Sequence, residues 1–121
     1  MKKITLFVLL VLLIGIVKVK AQDKNYFAKE KKGKYCYVDS KGKEKTKYKY
    51  TYAEDFSEGY GVFEKNLKFG YLNSKFKVVI PAKYDDAGAF NDGLAYVSKD
   101  GKYGYIDKKG KIVIDLQYDY K

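Results

Sequence analysis

The chain contains no histidine, no arginine and no tryptophan, and its 121 residues include one cysteine, one methionine and one proline. Each absence excludes some chemistry. Without histidine, the usual base of a nucleophilic triad and the commonest metal ligand are missing. Without arginine, bidentate recognition of phosphate, guanine or carboxylate is lost, because lysine is a point charge rather than a planar fork. Cys36 stands alone, so no internal disulfide can form, and a small exported domain must rely on its core or on a partner. Cys36 itself reads as a small buried hydrophobe rather than a reactive thiol.

The chain is rich in lysine and tyrosine. All 25 basic residues are lysine, against 15 acids, for a net charge of +10. Four of those lysines (Lys2, Lys3, Lys18 and Lys20) lie in an N-terminal segment that reads as a secretory signal peptide. Lys2 and Lys3 form its positive start, Ile4 to Val17 its apolar run, and Val19-Lys20-Ala21 a cleavage site before Gln22. The run is short for a membrane-spanning helix, which needs about 20 residues; an uncleaved anchor is the alternative. Cleavage leaves residues 22–121, one small domain, and lowers the net charge to +6 because the lost segment has no acid. That excess reads as a solvated surface, and an exported chain is not expected to bind nucleic acid.

Aligned with itself, the chain repeats every 34 residues. GKYCYVD from Gly33, LKFGYLN from Leu67 and GKYGYID from Gly101 share one ungapped register. The agreement continues downstream. Tyr50, Tyr84 and Tyr118 align, as do Ala53 with Ala87, Phe56 with Phe90 and Gly59 with Gly93. Such a period indicates stacked supersecondary units. We divide them as 26–59, 60–93 and 94–121.

Short segments rich in aromatic and β-branched residues, punctuated by glycine, argue for strands rather than helices. Each unit reads as a three-strand antiparallel meander. In the third, the strands are Leu94–Lys99, Lys102–Asp107 and Lys111–Ile114. Asp100-Gly101 is a hairpin turn and Lys108-Lys109-Gly110 a second turn. An irregular connection then follows, Pro81 to Gly93 in the second unit. The expected fold is all-β: three tandem units forming a curved sheet, a partial barrel or a propeller-like arc, preceded by the signal-peptide helix. The first unit alternates lysines (Lys45, Lys47, Lys49) with Thr46, Tyr48, Tyr50 and Tyr52, and reads as a polar N-terminal cap. The C-terminal end shows no such cap and is expected to be more prone to pairing with another chain.

GKYGYIDKKGKIVI, from Gly101, and YDDAGAFNDGLAYV, from Tyr84, resemble the WG-repeat (KWG-repeat) family of bacterial proteins. The resemblance covers nearly all of residues 22–121. It departs at the name-giving tryptophan, whose slot holds Tyr35, Phe69 and Tyr103, and at the following glycine, which is Cys36 in the first unit. The family implies an all-β repeat architecture and an interaction role, with no common catalytic activity.

The repeat explains residues that otherwise suggest a site. Gly101, Gly104 and Gly110 precede no helix, so a phosphate-cradling loop is not expected. Asp85, Asp86 and Asp92 could offer oxygens to calcium, but Asn91-Asp92-Gly93 and Ser57-Glu58-Gly59 read as turns. Asp39, Asn73 and Asp107 recur once per unit, as a structural residue would. Paired rings (Tyr35 with Tyr37, Phe69 with Tyr71, Tyr103 with Tyr105) are expected on one sheet face, with Gly70 and Gly104 leaving the other open to close approach. Gly59 and Gly93 are turn positions. Tyrosines beyond what a small core needs offer flat amphipathic contact area. Tyr48, Tyr50, Tyr52, Tyr118 and Tyr120 are the candidate surface. The expected function is non-catalytic and needs no cofactor or metal: an exported module binding a protein partner at the cell envelope. The alternative is glycan or cell-wall binding.

Overall fold

The computed structural model describes residues 25–119; the signal-peptide segment and Tyr120 lie outside them. Three hairpins recur at the 34-residue spacing. They are Phe27–Lys31 (β1) with Lys34–Val38 (β2), Gly61–Lys65 (β4) with Lys68–Leu72 (β5), and Ala95–Lys99 (β8) with Lys102–Ile106 (β9). Each closes through two residues of positive φ: Lys32-Gly33, Asn66-Leu67 and Asp100-Gly101. Two consecutive left-handed residues match the right-handed twist of the strands they join. Glycine suits the second position; the second unit carries Leu67 there, at φ 66° and 79% exposed.

The third strand of the second unit is Val78–Tyr84 (β6), and of the third unit Ile112–Asp119 (β10). Ile80 pairs with Tyr71 and Tyr84 with Phe69, so residues 81–83 stand opposite Gly70 alone. Ile114 with Tyr105 and Tyr118 with Tyr103 repeat that bulge around Gly104. The glycines are required: a Cβ at either would lie 2.5 Å from the carbonyl oxygen of Ile80 or Ile114. The close approach expected at these glycines is thus made by the unit's own third strand. The irregular connection expected from Pro81 begins later, because the strand runs on to Tyr84. Proline is tolerated there because β6 is an edge strand and Pro81 sits in its bulge.

The first unit shows what happens without the glycine. Residues 44–50 form no continuous ladder with β2, only isolated bridges at Val38–Glu44 and Tyr35–Tyr50. Cys36, fully buried, fills the space that Gly70 leaves for a carbonyl. The Thr46 hydroxyl accepts the Tyr37 N–H instead, at 2.9 Å. The lysine–tyrosine alternation expected here as a strand survives in burial, not as a continuous ladder.

From its third strand the chain passes directly into the next sheet. Tyr52–Ala53 (β3) pairs with β4, and Asp86–Ala87 (β7) with β8. The sheets are therefore β1-β2, β3-β4-β5-β6 and β10-β9-β8-β7. Each four-stranded sheet is a meander plus a short strand lent by the unit before.

Two cores lie between successive sheets. The first contains Tyr37, Tyr50, Ala53, Phe56, Phe63 and Leu72; the second contains Tyr71, Tyr84, Ala87, Phe90, Val97 and Ile106, with Val62, Ile80 and Ala95. Every member of the first set reappears 34 residues later in the second. The second sheet thus buries a leading face against the first and a trailing face against the third. Pairing of Tyr71 with Val62 and Ile80, and of Leu72 with Gly61, places the first three on the trailing face and the last two on the leading one.

The second turns also repeat. The Oδ1 atoms of Asp39, Asn73 and Asp107 each accept two backbone N–H bonds, from residues two and four further on, at 2.9–3.1 Å. Gly42 and Gly110 hold the left-handed position in two of these turns; Phe76, at φ 62°, holds it in the other. Its ring packs into the first core, 4.6 Å from Tyr26 and 5.9 Å from Phe56 between centroids. Burial of a ring offsets the strain of a bulky residue at positive φ.

Candidate interaction surfaces

The five candidate tyrosines do not share a surface. Tyr50 is buried in the first core, its ring 5.3 Å from Phe63 and 5.8 Å from Tyr37. Its expected role as a contact residue is therefore corrected. It is the counterpart of Tyr84 and closes the joint between sheets. Tyr48 is half-buried; its hydroxyl donates to Glu44 Oε2 at 2.9 Å, and Lys31 Nζ lies 5.7 Å from its ring centroid. Desolvation, then contact with Cys36 and Glu44, pushes its ionisation well above the usual phenol range. Tyr118 is described by its backbone, paired with Tyr103, and Tyr120 lies outside the described residues.

Tyr52 is exposed and centres a row of rings. Its centroid lies 5.4 Å from Tyr35 and 6.2 Å from Phe69, edge-on to both. Its hydroxyl donates to Glu54 Oε2 at 3.2 Å, and the neighbouring Thr51 hydroxyl donates to Glu64 Oε1 at 2.8 Å. Burial of its hydroxyl, then the Glu54 carboxylate, raises its ionisation. These contacts hold the ring in one orientation. In the third unit, Tyr96 and Tyr103 form a second pair, with centroids 5.8 Å apart. The Tyr96 ring lies against Gly88, where a Cβ would collide with it.

The acids read as turn residues are held within the stack. The Glu58 carboxylate accepts the N–H groups of Asp92 at 2.5 Å and Gly93 at 2.9 Å, and pairs with Lys108 Nζ at 3.3 Å. The Ser57 hydroxyl donates to the Phe90 carbonyl at 2.7 Å. Ser57-Glu58-Gly59 is thereby docked onto the matching turn of the next unit. Asp85 accepts from Lys68 Nζ and from the Asp100 N–H. Among the described residues, no three of histidine, cysteine, aspartate and glutamate converge as metal ligands.

The family model for the WG containing repeat matches residues 35–68, 69–103 and 103–120. The chain belongs to the WG-repeat family. No curated protein and no solved structure matches it. The name-giving slot of this WG-repeat chain holds Tyr35, Phe69 and Tyr103, and all three rings are half-buried. The ring partners differ between units: Tyr35 and Phe69 flank Tyr52, while Tyr103 meets Tyr96. The second ring of the motif has the stricter duty, because Tyr37 and Tyr71 are fully buried.

The sequence marked the C-terminal end as uncapped but did not single out the exposed residues of the last sheet and the rims. Tyr96, Tyr105 and Ile114 are exposed, as are Val78, Val79, Ile112 and Val113 at the starts of β6 and β10. A signal was available in the repeat alignment. Tyr96, Tyr105 and Ile114 follow Val62, Tyr71 and Ile80 by 34 residues, so their cover would have to come from the next sheet.

Proposed function

We propose that this WG-repeat chain is an exported, non-catalytic module that engages a protein partner at the bacterial cell envelope. The observation that carries this reading is the exposed Tyr52 ring, fixed between Tyr35 and Phe69 at one edge of the stack. Tyrosines held in one orientation lose little entropy on binding and bring large contact area. Lysine-rich turns (Lys41 and Lys43, Lys75 and Lys77, Lys109 and Lys111) supply charge that favours an acidic partner. The N-terminal apolar segment supports export.

Glycan binding is the second reading. It draws on the same place, because carboxylates beside an aromatic ring, here Glu54 and Glu64 beside Tyr52, can accept sugar hydroxyls. Capture from envelope extract, run beside a glycan array, separates the two. The protein reading predicts one enriched envelope protein, at least about fivefold reduced by Tyr52→Ala, with an empty array. Binding to the array that disappears in Tyr52→Ala favours the glycan reading, and no Tyr52-dependent capture of either kind rejects both.

A further inference from the structure

The start of the third strand occupies an equivalent place in every unit. Val38 bridges Glu44, Leu72 pairs with Val78, and Ile106 pairs with Ile112. In the first unit this slot and the next hold Glu44 and Lys45, both exposed. The fold therefore asks for no apolar side chain there. The second and third units nevertheless carry Val78-Val79 and Ile112-Val113, and all four are between 39% and 55% exposed. Val78 and Val79 keep that exposure with the third sheet packed against the second, so it owes nothing to where the chain ends. A Cβ on Gly110 would lie 3.4 Å from Ile80 Cγ1, so the second turn of the third unit rests against the start of β6. The two aliphatic pairs are thus neighbours on one rim of the stack.

Lysines frame them. Lys75 and Lys77 precede one pair, Lys109 and Lys111 the other; all four are exposed, and none forms an ion pair among the described residues. The opposing charge is small. Asp107 is the one acid in the two turns, and its Oδ1 accepts the Lys109 and Lys111 N–H groups. Glu58, docked on the same rim, is paired with Lys108. The cores of protein interfaces are depleted in lysine, so a folded partner is a poor match for this mixture. A soluble polyanion would use the lysines and leave the aliphatic side chains in water. A bilayer with anionic headgroups uses both. Aliphatic side chains enter at the acyl boundary, lysine stems lie beside them, and the ammonium groups stay among the phosphates. Point charges suffice there, so the absence of arginine is no handicap.

We propose that this rim is a peripheral membrane contact, in which Val78, Val79, Ile112 and Val113 enter an anionic bilayer surface and Lys75, Lys77, Lys109 and Lys111 meet its phosphates. The Tyr52 row lies elsewhere. Tyr52 pairs with Glu64 towards the β4–β5 hairpin, whereas Val78 pairs with Leu72 at the far end of β5. Only the chain's access to a bilayer rests on the envelope reading.

The chain has no tryptophan, so a single introduced indole reports its own surroundings. Val78→Trp, purified in the form its host accumulates, is mixed with vesicles of phosphatidylglycerol and phosphatidylcholine in equal parts, or of phosphatidylcholine alone, with and without bromine-labelled acyl chains. With the anionic vesicles its emission is expected to shift to the blue and to be quenched by bromine. Phosphatidylcholine alone is expected to do neither. Lys65→Trp, at the exposed hairpin end, is expected to respond to neither vesicle. Adding Lys77→Gln and Lys111→Gln to the Val78→Trp chain should weaken binding at least about tenfold, since each lysine near an anionic surface contributes roughly fivefold. An unmoved Val78→Trp emission with anionic vesicles, an equal response to phosphatidylcholine alone or from Lys65→Trp, or binding indifferent to the two lysines overturns the proposal. Dextran sulfate that binds the chain while anionic vesicles leave the emission unmoved replaces the bilayer with a soluble polyanion. None of these outcomes bears on envelope capture through Tyr52, which is read from the extract.

Discussion

The Tyr71 hydroxyl donates to the Gly88 carbonyl at 2.6 Å, crossing from the second sheet to the segment that opens the third. Tyr37, 34 residues earlier, donates likewise to the Val62 carbonyl of the second sheet at 2.6 Å. Both rings are fully buried, and their hydroxyls tie successive sheets together. Tyr37→Phe and Tyr71→Phe should each cost about 1–2 kcal/mol, the cost of a lost buried hydrogen bond, with Tyr37→Phe at the lower end because the Val62 carbonyl keeps the Glu54 N–H at 3.0 Å. Tyr105→Phe, on the open face, should change stability by less than about 0.5 kcal/mol. Urea titration of the three variants, compared at low protein concentration, checks the contrast.

The second unit carries side chains at two left-handed positions, and their environments differ. Leu67 is almost wholly exposed, so its strain at positive φ is not offset by packing. Leu67→Gly should stabilise the chain by about 0.5–1 kcal/mol, since strain relief exceeds the added unfolded-state entropy. Phe76→Gly relieves the same kind of strain but removes a ring from the first core. It should destabilise by about 2 kcal/mol or more. The opposite signs should appear directly in the midpoints of thermal melts.

Stability should fall at both ends of the pH scale. The Gly93 and Asp92 N–H groups and Lys108 hold the Glu58 carboxyl below its usual range, and Lys68 with the Asp100 N–H does the same for Asp85. A carboxyl depressed in the folded state stabilises it above the unfolded value, and that contribution is lost as pH falls below about 4. Both groups are exposed, so each effect is small, and Glu58→Gln should flatten part of the acid limb. Desolvation pushes the Tyr37 and Tyr71 hydroxyls well above the phenol range. Their raised folded-state values stabilise the chain below about pH 10, with loss as pH rises beyond it. Unfolding midpoints against pH, with tyrosinate absorbance read in parallel, test both limbs.

The fold was largely legible in the sequence because the repeat is exact in spacing. The ungapped match of Tyr37 with Tyr71, and of Phe56 with Phe90, already marked equivalent positions in successive units. The Asp39, Asn73 and Asp107 series likewise gave the turns. The path of the third strand was less legible. Pro81 reads locally as a strand end, whereas the bulge around Gly70 depends on pairing that no local pattern encodes. The surface was least legible. Tyr50 and Tyr52 share one alternating run and the same expected face, yet one closes a core and the other stands in solvent. What separates them is the chain's passage between sheets at residue 51, between the Tyr50 bridge to Tyr35 and the pairing of Tyr52 with Glu64.

The functional account is tested most directly by placing a photo-reactive residue at position 52 in the native host. Irradiation should yield one adduct with another protein, found in the envelope fraction and absent when the same residue stands at the exposed Lys99. No adduct specific to position 52, or an adduct confined to the cytosol, would contradict the account.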